Sequence, residues 1–229
     1  MRQFDIDLNG LRDSITAMAW LAGEMIDLTI ESLHSPSPES AQKVNALDRR
    51  MDAWEIQLDH LCIALLALQA PAAVDLRFVA SSLKIVPELE RIGDHCCNIA
   101  RRGLLVAPPI LADGTLERLG QETRSMVRRA MDAFVTKDAA LARVVILSDD
   151  AVDELYAGIY HELIRLMKAD PGCIDRAGHL ILVIKNWERI ADQATNIAEE
   201  VLYILEAQSA KHPYLQGKGP EPGAGRPKV

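Results

Sequence analysis

ERIGDHCCNIA, at residues 90–100, returns as ERIADQATNIA at residues 188–198, ninety-eight positions further along the chain. Both copies keep the pattern Glu-Arg-Ile-x-Asp-x-x-x-Asn-Ile-Ala. A repeat with this spacing indicates that the chain contains two copies of one structural unit. The Glu, Asp and Asn of each copy lie at positions i, i+4 and i+8, so on a helix they line a single stripe.

The composition favours a helical protein with an acidic body. The 229 residues are 49% hydrophobic but only 4% aromatic, so the apolar residues are mainly aliphatic, as in helical bundles. The net charge is −8 at pH 7, and because residues 208–229 carry +3, the rest of the chain carries about −11. This balance argues against nucleic-acid binding, which requires positive charge. It suits a protein that binds cations or a basic partner.

No targeting or membrane-spanning segment is expected. The first residues lack the apolar run of a signal peptide, and the longest strongly apolar run, residues 61–68, is far too short to cross a bilayer. The four cysteines include no Cys-x-x-Cys pair, and we interpret them as buried free thiols in a reducing compartment. These features predict a cytoplasmic protein.

Apolar residues that recur at spacings of three and four predict six helices. The predicted helices cover about residues 7–32, 38–70, 74–106, 114–135, 138–168 and 174–206. Ser37 and Asp138 are expected to cap the second and fifth helices, with Pro38 at the first helical position. Pro87 is expected to kink the third helix because it removes a backbone donor. The core-facing positions of the second helix are expected to be Val44, Leu47, Met51, Trp54, Leu58, Leu61, Leu65 and Leu68.

The repeat predicts an all-α fold of two tandem three-helix bundles related by internal duplication. Residues 1–107 would form the first bundle and residues 111–207 the second. Residues 208–229 are rich in Gly, Pro and Lys, so we expect them to form a disordered basic tail.

Each unit carries two pairs of carboxylates on successive helices. A shift of 101 positions places the second helix on the fifth, so that an Asp-x-x-x-Asp pair recurs one helix before each Glu-x-x-x-Asp pair. The glutamates of the later pairs occupy core-facing slots that are otherwise filled by apolar or small residues. The candidate ligands are Asp48, Asp52, Glu90 and Asp94 in the first unit, and Asp149, Asp153, Glu188 and Asp192 in the second.

Carboxylates that face one another across a bundle repel, and burial raises the cost because it removes water. Protonation or bound cations can relieve the repulsion. Oxygen ligands favour hard ions such as Mg, Mn, Ca or Fe, although purification could introduce Zn or Ni. The sequence therefore predicts a metal site in each unit. The alternative is a solvated acidic face that is neutralised by Arg49, Arg91 and Arg189.

Three further polar residues extend these stripes. Asn98 and Asn196 could hold metal-bound water or hydrogen-bond the backbone of a neighbouring helix, and we favour the second role. Glu55 continues the stripe of the first unit and is followed by Asp59, whereas both counterparts in the second unit are tyrosines. The two sites are therefore expected to differ, with more negative charge in the first.

The repeated Glu-Arg-Ile-x-Asp-x-x-x-Asn-Ile-Ala motif, with Asp-x-x-x-Asp one helix earlier, resembles the PhoU family of phosphate-signalling proteins. QAPAAVDLR at residues 69–77 and KNWERI at residues 185–190 are also similar to the family, and the resemblance covers about residues 4–205. One departure concerns the second copy, where the family usually has Gly before the Asp and this chain has Ala191. In addition, Gln193 stands where the first copy has His95.

The resemblance implies two three-helix bundles with multinuclear metal clusters on the Glu/Asp-x-x-x-Asp motifs. It also implies a regulator that represses the phosphate regulon. The expected partners are the ATPase subunit of the phosphate ABC transporter, a membrane sensor histidine kinase and a second copy of the chain.

Two other functions compete with this non-enzymatic regulator. A carboxylate-bridged metal oxidase usually needs Glu-x-x-His twice, and only Glu31 with His34 fits, at a helix end. A metal-free helical adaptor would use the acidic stripes only as solvated faces. Nucleophilic catalysis has no support, because neither a Gly-x-Ser-x-Gly motif nor a Gly-rich phosphate loop is present.

Overall fold

Six α-helices and no strand form the part of the chain that the computed structural model describes, which is residues 3–69, 71, 73–107, 109–112 and 114–207. The helices are α1 (Gln3–His34), α2 (Pro38–Gln69), α3 (Ala73–Gly103), α4 (Thr115–Thr136), α5 (Ala139–Ala169) and α6 (Ile174–Glu206). A single 3₁₀ turn, Pro171–Cys173, precedes α6. The all-α prediction is confirmed. The predicted tail lies outside the described residues.

Both predicted helix caps are present. The backbone N–H of Ser40 donates to Ser37 Oγ at 3.1 Å, and that of Leu141 donates to Asp138 Oδ1 at 3.0 Å. Each bond satisfies one of the donors that a helix start leaves without an intrahelical partner. Pro87 lies inside α3, and the helix continues through it.

The predicted end of α3 was wrong by three residues. The helix ends at Gly103, and the N–H groups of Leu105 and Val106 donate to the carbonyls of Arg102 and Gly103. These bonds span three residues instead of four, so the chain tightens into a turn after the helix. Apolar periodicity continued to Val106 because that side chain is buried although it is not helical.

Each unit is a bundle in which every helix contacts the other two, and α3 and α6 then join the units along the most extensive helix–helix contact. These two helices run antiparallel, because Ser81 pairs with Glu200 while His95 pairs with Asn186. α1 and α4 also contact each other across the units. The buried side chains of both units form one continuous core.

Two glycines allow α1 and α4 to approach closely. A Cβ on Gly23 would lie 2.8 Å from Arg124 Nη2, and one on Gly120 would lie 2.8 Å from Ile30 Cγ1. The Gly120 site also lies 3.2 Å from the ring of Trp187, which is completely buried. A side chain at Gly120 would therefore push against the packed side chains of both units, whereas one at Gly23 would displace the guanidinium group of Arg124.

The predicted core stripe of α2 is correct except at its end. Val44, Met51, Leu58 and Leu65 are buried, but Leu68 is 79% exposed. Among the described residues, no helix combines the length and the apolar character that crossing a membrane requires.

Candidate metal centre

Asp48 on α2 lies directly against Gly93 on α3. A Cβ on Gly93 would be 3.0 Å from Asp48 Oδ1, so the glycine gives this carboxylate its place between the helices. The Cys97 thiol, one turn further along α3, hydrogen-bonds the same carboxyl group. Oδ1 itself is buried and has no hydrogen-bond partner among the described residues.

The four predicted carboxylates of the first unit come together, and Glu55 joins them. Burial raises the pKa of Glu90 to about 7, and repulsion from Asp94, Glu55, Asp52 and Asp48 adds to the effect. The pKa of Asp48 is also raised, mainly by burial and then by Asp52 and Asp94. We call these five residues the first cluster.

The four predicted carboxylates of the second unit also converge. Burial raises the pKa of Asp192 to about 6, and Glu188, Asp149 and Asp153 raise it further, while Lys185 lowers it. We call the four carboxylates the second cluster. The hydroxyl of Thr195, the counterpart of Cys97, donates to Asp149 Oδ1 over a long 3.5 Å. Both units therefore place a side-chain donor on the first Asp of the earlier helix.

A lysine that we did not single out from the sequence pairs with a carboxylate of the second cluster. Lys185 Nζ lies 2.7 Å from Glu188 Oε1 and 5.5 Å from the centre of the Tyr156 ring. The other carboxylate oxygen, Glu188 Oε2, is buried and has no hydrogen-bond partner among the described residues. The signal in the sequence was the spacing of three between Lys185 and Glu188, which favours an ion pair on a helix.

The donor set in both clusters fits a hard cation, because it consists of carboxylate oxygens. The unpartnered buried oxygens of Asp48 and Glu188 also fit an additional ligand, since such atoms are costly when left unsatisfied. However, no three His, Cys, Asp or Glu side chains of the described residues are grouped tightly enough to hold one ion together. The carboxylates are thus close enough to repel one another, but they are not arranged around a common point.

Among the described residues, the basic residues of the alternative interpretation form no ion pair with the first cluster. Arg91 pairs instead with Glu88, at 3.1 Å, and Arg189 is exposed. Arg49 lowers the pKa of Asp48, but burial and repulsion from Asp52 and Asp94 outweigh this effect, so the pKa of Asp48 is raised. Within the described residues, no ion pair reaches a carboxylate of the first cluster.

The three accessory residues predicted from the sequence, Glu55, Asn98 and Asn196, have different surroundings. Glu55 belongs to the first cluster and lines a cavity of about 290 Å³ between α2 and α3. Asn196 instead donates to Glu88 Oε2 on α3 at 3.3 Å. Its partner is a neighbouring helix, as we favoured, but it is a side chain and not the backbone. Asn98 is half-buried.

The residues that fitted an oxidase motif lie elsewhere. His34 ends α1, is 77% exposed and contacts Glu117 of α4 at 3.2 Å. Glu31 is exposed on the same helix end. Neither residue takes part in the interactions that define the two clusters.

The fold and the two clusters define a class of protein: a duplicated three-helix bundle with an acidic cluster between the second and third helix of each copy. The PhoU domain, as a family model, matches residues 15–103 and 116–201, one match in each unit. The chain belongs to the PhoU family.

Relatives agree over almost the whole chain. A protein of Aquifex aeolicus, described as a phosphate-specific transport system accessory protein PhoU homologue, is 37% identical over 93% of this chain and 97% of its own. A homologue with the same description from Pseudomonas aeruginosa is 35% identical over 92% of this chain and 88% of its own.

Solved structures show the same architecture. The crystal structure of PhoU from Pseudomonas aeruginosa matches with a TM-score of 0.87 at 33% identity, covering 90% of this chain and 100% of that one. The phosphate transport system regulatory protein PhoU from Streptococcus pneumoniae matches with a TM-score of 0.85 at 30% identity, covering 90% of this chain and 99% of that one.

Proposed function

We propose that the protein is a non-enzymatic regulator of phosphate transport that represses phosphate-responsive genes when phosphate is plentiful. The observation that carries this proposal is the match of both units to the PhoU domain within one continuous fold. The relatives are described as accessory or regulatory proteins of phosphate transport, which supports the same role here.

The proposed partners are the ATPase subunit of the phosphate ABC transporter and a sensor histidine kinase. A protein between two such partners needs at least two binding surfaces. The long outer helices and the acidic net charge of −8 provide surfaces that would favour basic partner segments. A second copy of the chain is a further proposed partner.

Metal binding by the two clusters is the second part of the proposal. Asp48, Asp52, Glu90 and Asp94, with Glu55, would hold a hard cation in the first unit. Asp149, Asp153, Glu188 and Asp192 would hold one in the second. A bound cation would neutralise the mutual repulsion of these carboxylates and so stabilise the packing of the paired helices. No observation in the structure favours an oxidase in place of this role.

The regulatory role is tested in the organism that encodes the chain. A strain that lacks the protein should express a phosphate-responsive reporter in high phosphate, and the intact chain should restore repression. In parallel, the tagged chain should retain the transporter ATPase or the cytoplasmic part of the kinase. Normal repression in the deletion strain, together with binding to neither partner, would reject the regulatory proposal.

A further inference from the structure

The second cluster is paired with a cation of the chain itself, the ammonium group of Lys185. Its ion pair with Glu188 is 2.7 Å long, and the Glu188 side chain is only 16% exposed. The ammonium nitrogen also lies 5.5 Å from the centre of the Tyr156 ring. A cation held by a shielded carboxylate and an aromatic face is well placed to persist in one position.

The first cluster has no such residue. Pro87 stands at the position equivalent to Lys185, and Glu55, another carboxylate, stands at the position equivalent to Tyr156. Both Pro87 and Glu55 border the cavity of about 290 Å³ between α2 and α3. In the first unit, the positions equivalent to Lys185 and Tyr156 therefore border a cavity that is also lined by carboxylates.

We propose that the two clusters are unequal cation sites, in which the first binds a divalent metal ion tightly and Lys185 acts as the resident counter-cation of the second. This inference rests on the metal-binding part of the proposed function. A metal ion entering the second cluster must overcome repulsion from the ammonium or displace it. An ion that approaches the first cluster enters the field of five carboxylates, none of which is paired with a cation among the described residues.

Charge, and not a lack of acceptors, separates the two clusters. Each one keeps a buried carboxylate oxygen without a hydrogen-bond partner, Asp48 Oδ1 in the first and Glu188 Oε2 in the second. Each also has a side-chain donor on the first Asp of its earlier helix, from Cys97 or Thr195. The two arrangements thus differ in charge at two positions, where Lys185 and Tyr156 of the second unit replace Pro87 and Glu55 of the first.

The experiment is a titration of the metal-free full-length chain with Mn²⁺. Binding is measured by calorimetry and by the electron-paramagnetic-resonance signal of free Mn²⁺. The wild-type chain should show a tight class of site and a class at least about tenfold weaker. Glu90→Gln should abolish the tight class, whereas Glu188→Gln should leave it intact.

Removing the charge of Lys185 tests its effect on metal affinity directly. Lys185→Met should tighten the weak class by about tenfold or more, and Lys185→Arg, which keeps the charge, should not. Lys84→Met is the matched control, because Lys84 also pairs with a buried glutamate, Glu200 at 3.2 Å, and lies 5.4 Å from the ring of Tyr203. It should leave both classes unchanged.

The reciprocal change introduces the lysine into the first unit. Pro87→Lys should weaken the tight class by about tenfold, while Pro87→Met, which removes the proline without adding charge, should not. Equal affinities in the wild-type chain would overturn the inference and leave the metal proposal standing. So would identical behaviour of Lys185→Met and Lys84→Met. Absence of Mn²⁺ binding in every form would reject both.

Discussion

Single residues determine how the negative charge of each cluster is reduced. In the first, partial burial and repulsion from Asp94, Glu55, Asp52 and Asp48 raise the pKa of Glu90 to about 7, which favours its protonated form. In the second, Lys185 pairs with Glu188 and offsets part of the charge. Protonation and an internal counter-ion are two solutions to one electrostatic problem, and they make different demands on a metal ion.

The stability of the metal-free protein should fall as the pH rises. The folded pKa of Glu90, about 7, lies above the ordinary value of 4.5, so the folded state binds the proton more tightly than the unfolded state. Stability from this group is complete below about pH 4.5 and is lost as the pH rises to about 7. Thermal melting in chelator between about pH 5 and pH 7.5 should show the decline, and Glu90→Gln should reduce it.

The exposed residue Glu122 provides the control for this measurement. Glu122→Gln should leave the slope of melting temperature against pH as it is in the wild type. A slope that is the same in Glu90→Gln and in the wild type would show that Glu90 does not keep its proton in the folded protein.

Gly93→Ala should damage the first cluster more than the fold. The new Cβ would lie 3.0 Å from Asp48 Oδ1, so the carboxylate must move by a few tenths of an ångström. Alanine favours the helix by up to about 1 kcal/mol over glycine, which offsets the cost of that movement. Melting in chelator should therefore change little, whereas the metal affinity of the first cluster should drop. Unchanged affinity would show that Asp48 is not a ligand.

At the scale of elements, the two units use equivalent devices at equivalent places. Ser37 and Asp138, which are 101 positions apart, cap α2 and α5, the helices that carry the two Asp-x-x-x-Asp pairs. The antiparallel contact of α3 with α6 then fixes the two Glu-x-x-x-Asp pairs relative to each other. The clusters are thus positioned by the capped starts of α2 and α5 and by the packing of α3 against α6.

Removing either cap should destabilise the protein by a similar amount. Ser37→Ala and Asp138→Ala should each cost about 1 kcal/mol, because each leaves a backbone donor at a helix start without its side-chain acceptor. The two effects should be additive, since the caps share no partner. Chemical denaturation of the single and double variants measures this. A loss for only one variant would mean that the units do not depend on their caps in the same way.

At the scale of the molecule, most of the fold followed from periodicity and the internal repeat. Helix boundaries fell within a few residues of the prediction wherever a cap or a proline marked them, as at Ser37. They were less accurate at the start of α1, which is Gln3 and not residue 7, and at the end of α3, which is Gly103 and not Val106. At Val106 the following prolines did not mark the true end, because a buried apolar residue after a helix looks like one inside it. Convergence of the carboxylates followed from their register on helices that pack together.

The tertiary partners of individual polar residues could not be predicted in this way. Asn196 contacts Glu88 across the interface of the two units, a pairing that depends on how α3 and α6 align and not on either sequence alone. The same holds for Lys185, whose contact with Tyr156 requires the packing of α5 on α6. The sequence pattern identifies the helix face on which a residue lies, but only the structure shows which side chains of the neighbouring helix it contacts.

The account depends most on the claim that the paired carboxylates bind metal. The direct measurement is the metal content, by mass spectrometry, of the full-length chain purified without chelator, compared with an Asp48→Asn/Glu90→Gln variant that remains folded by circular dichroism. The account predicts that the wild-type chain retains about one or more equivalents of a hard cation such as Mg, Mn or Fe, and that the variant loses most of it. A wild-type chain without such metal, or equal retention by the variant, would contradict it.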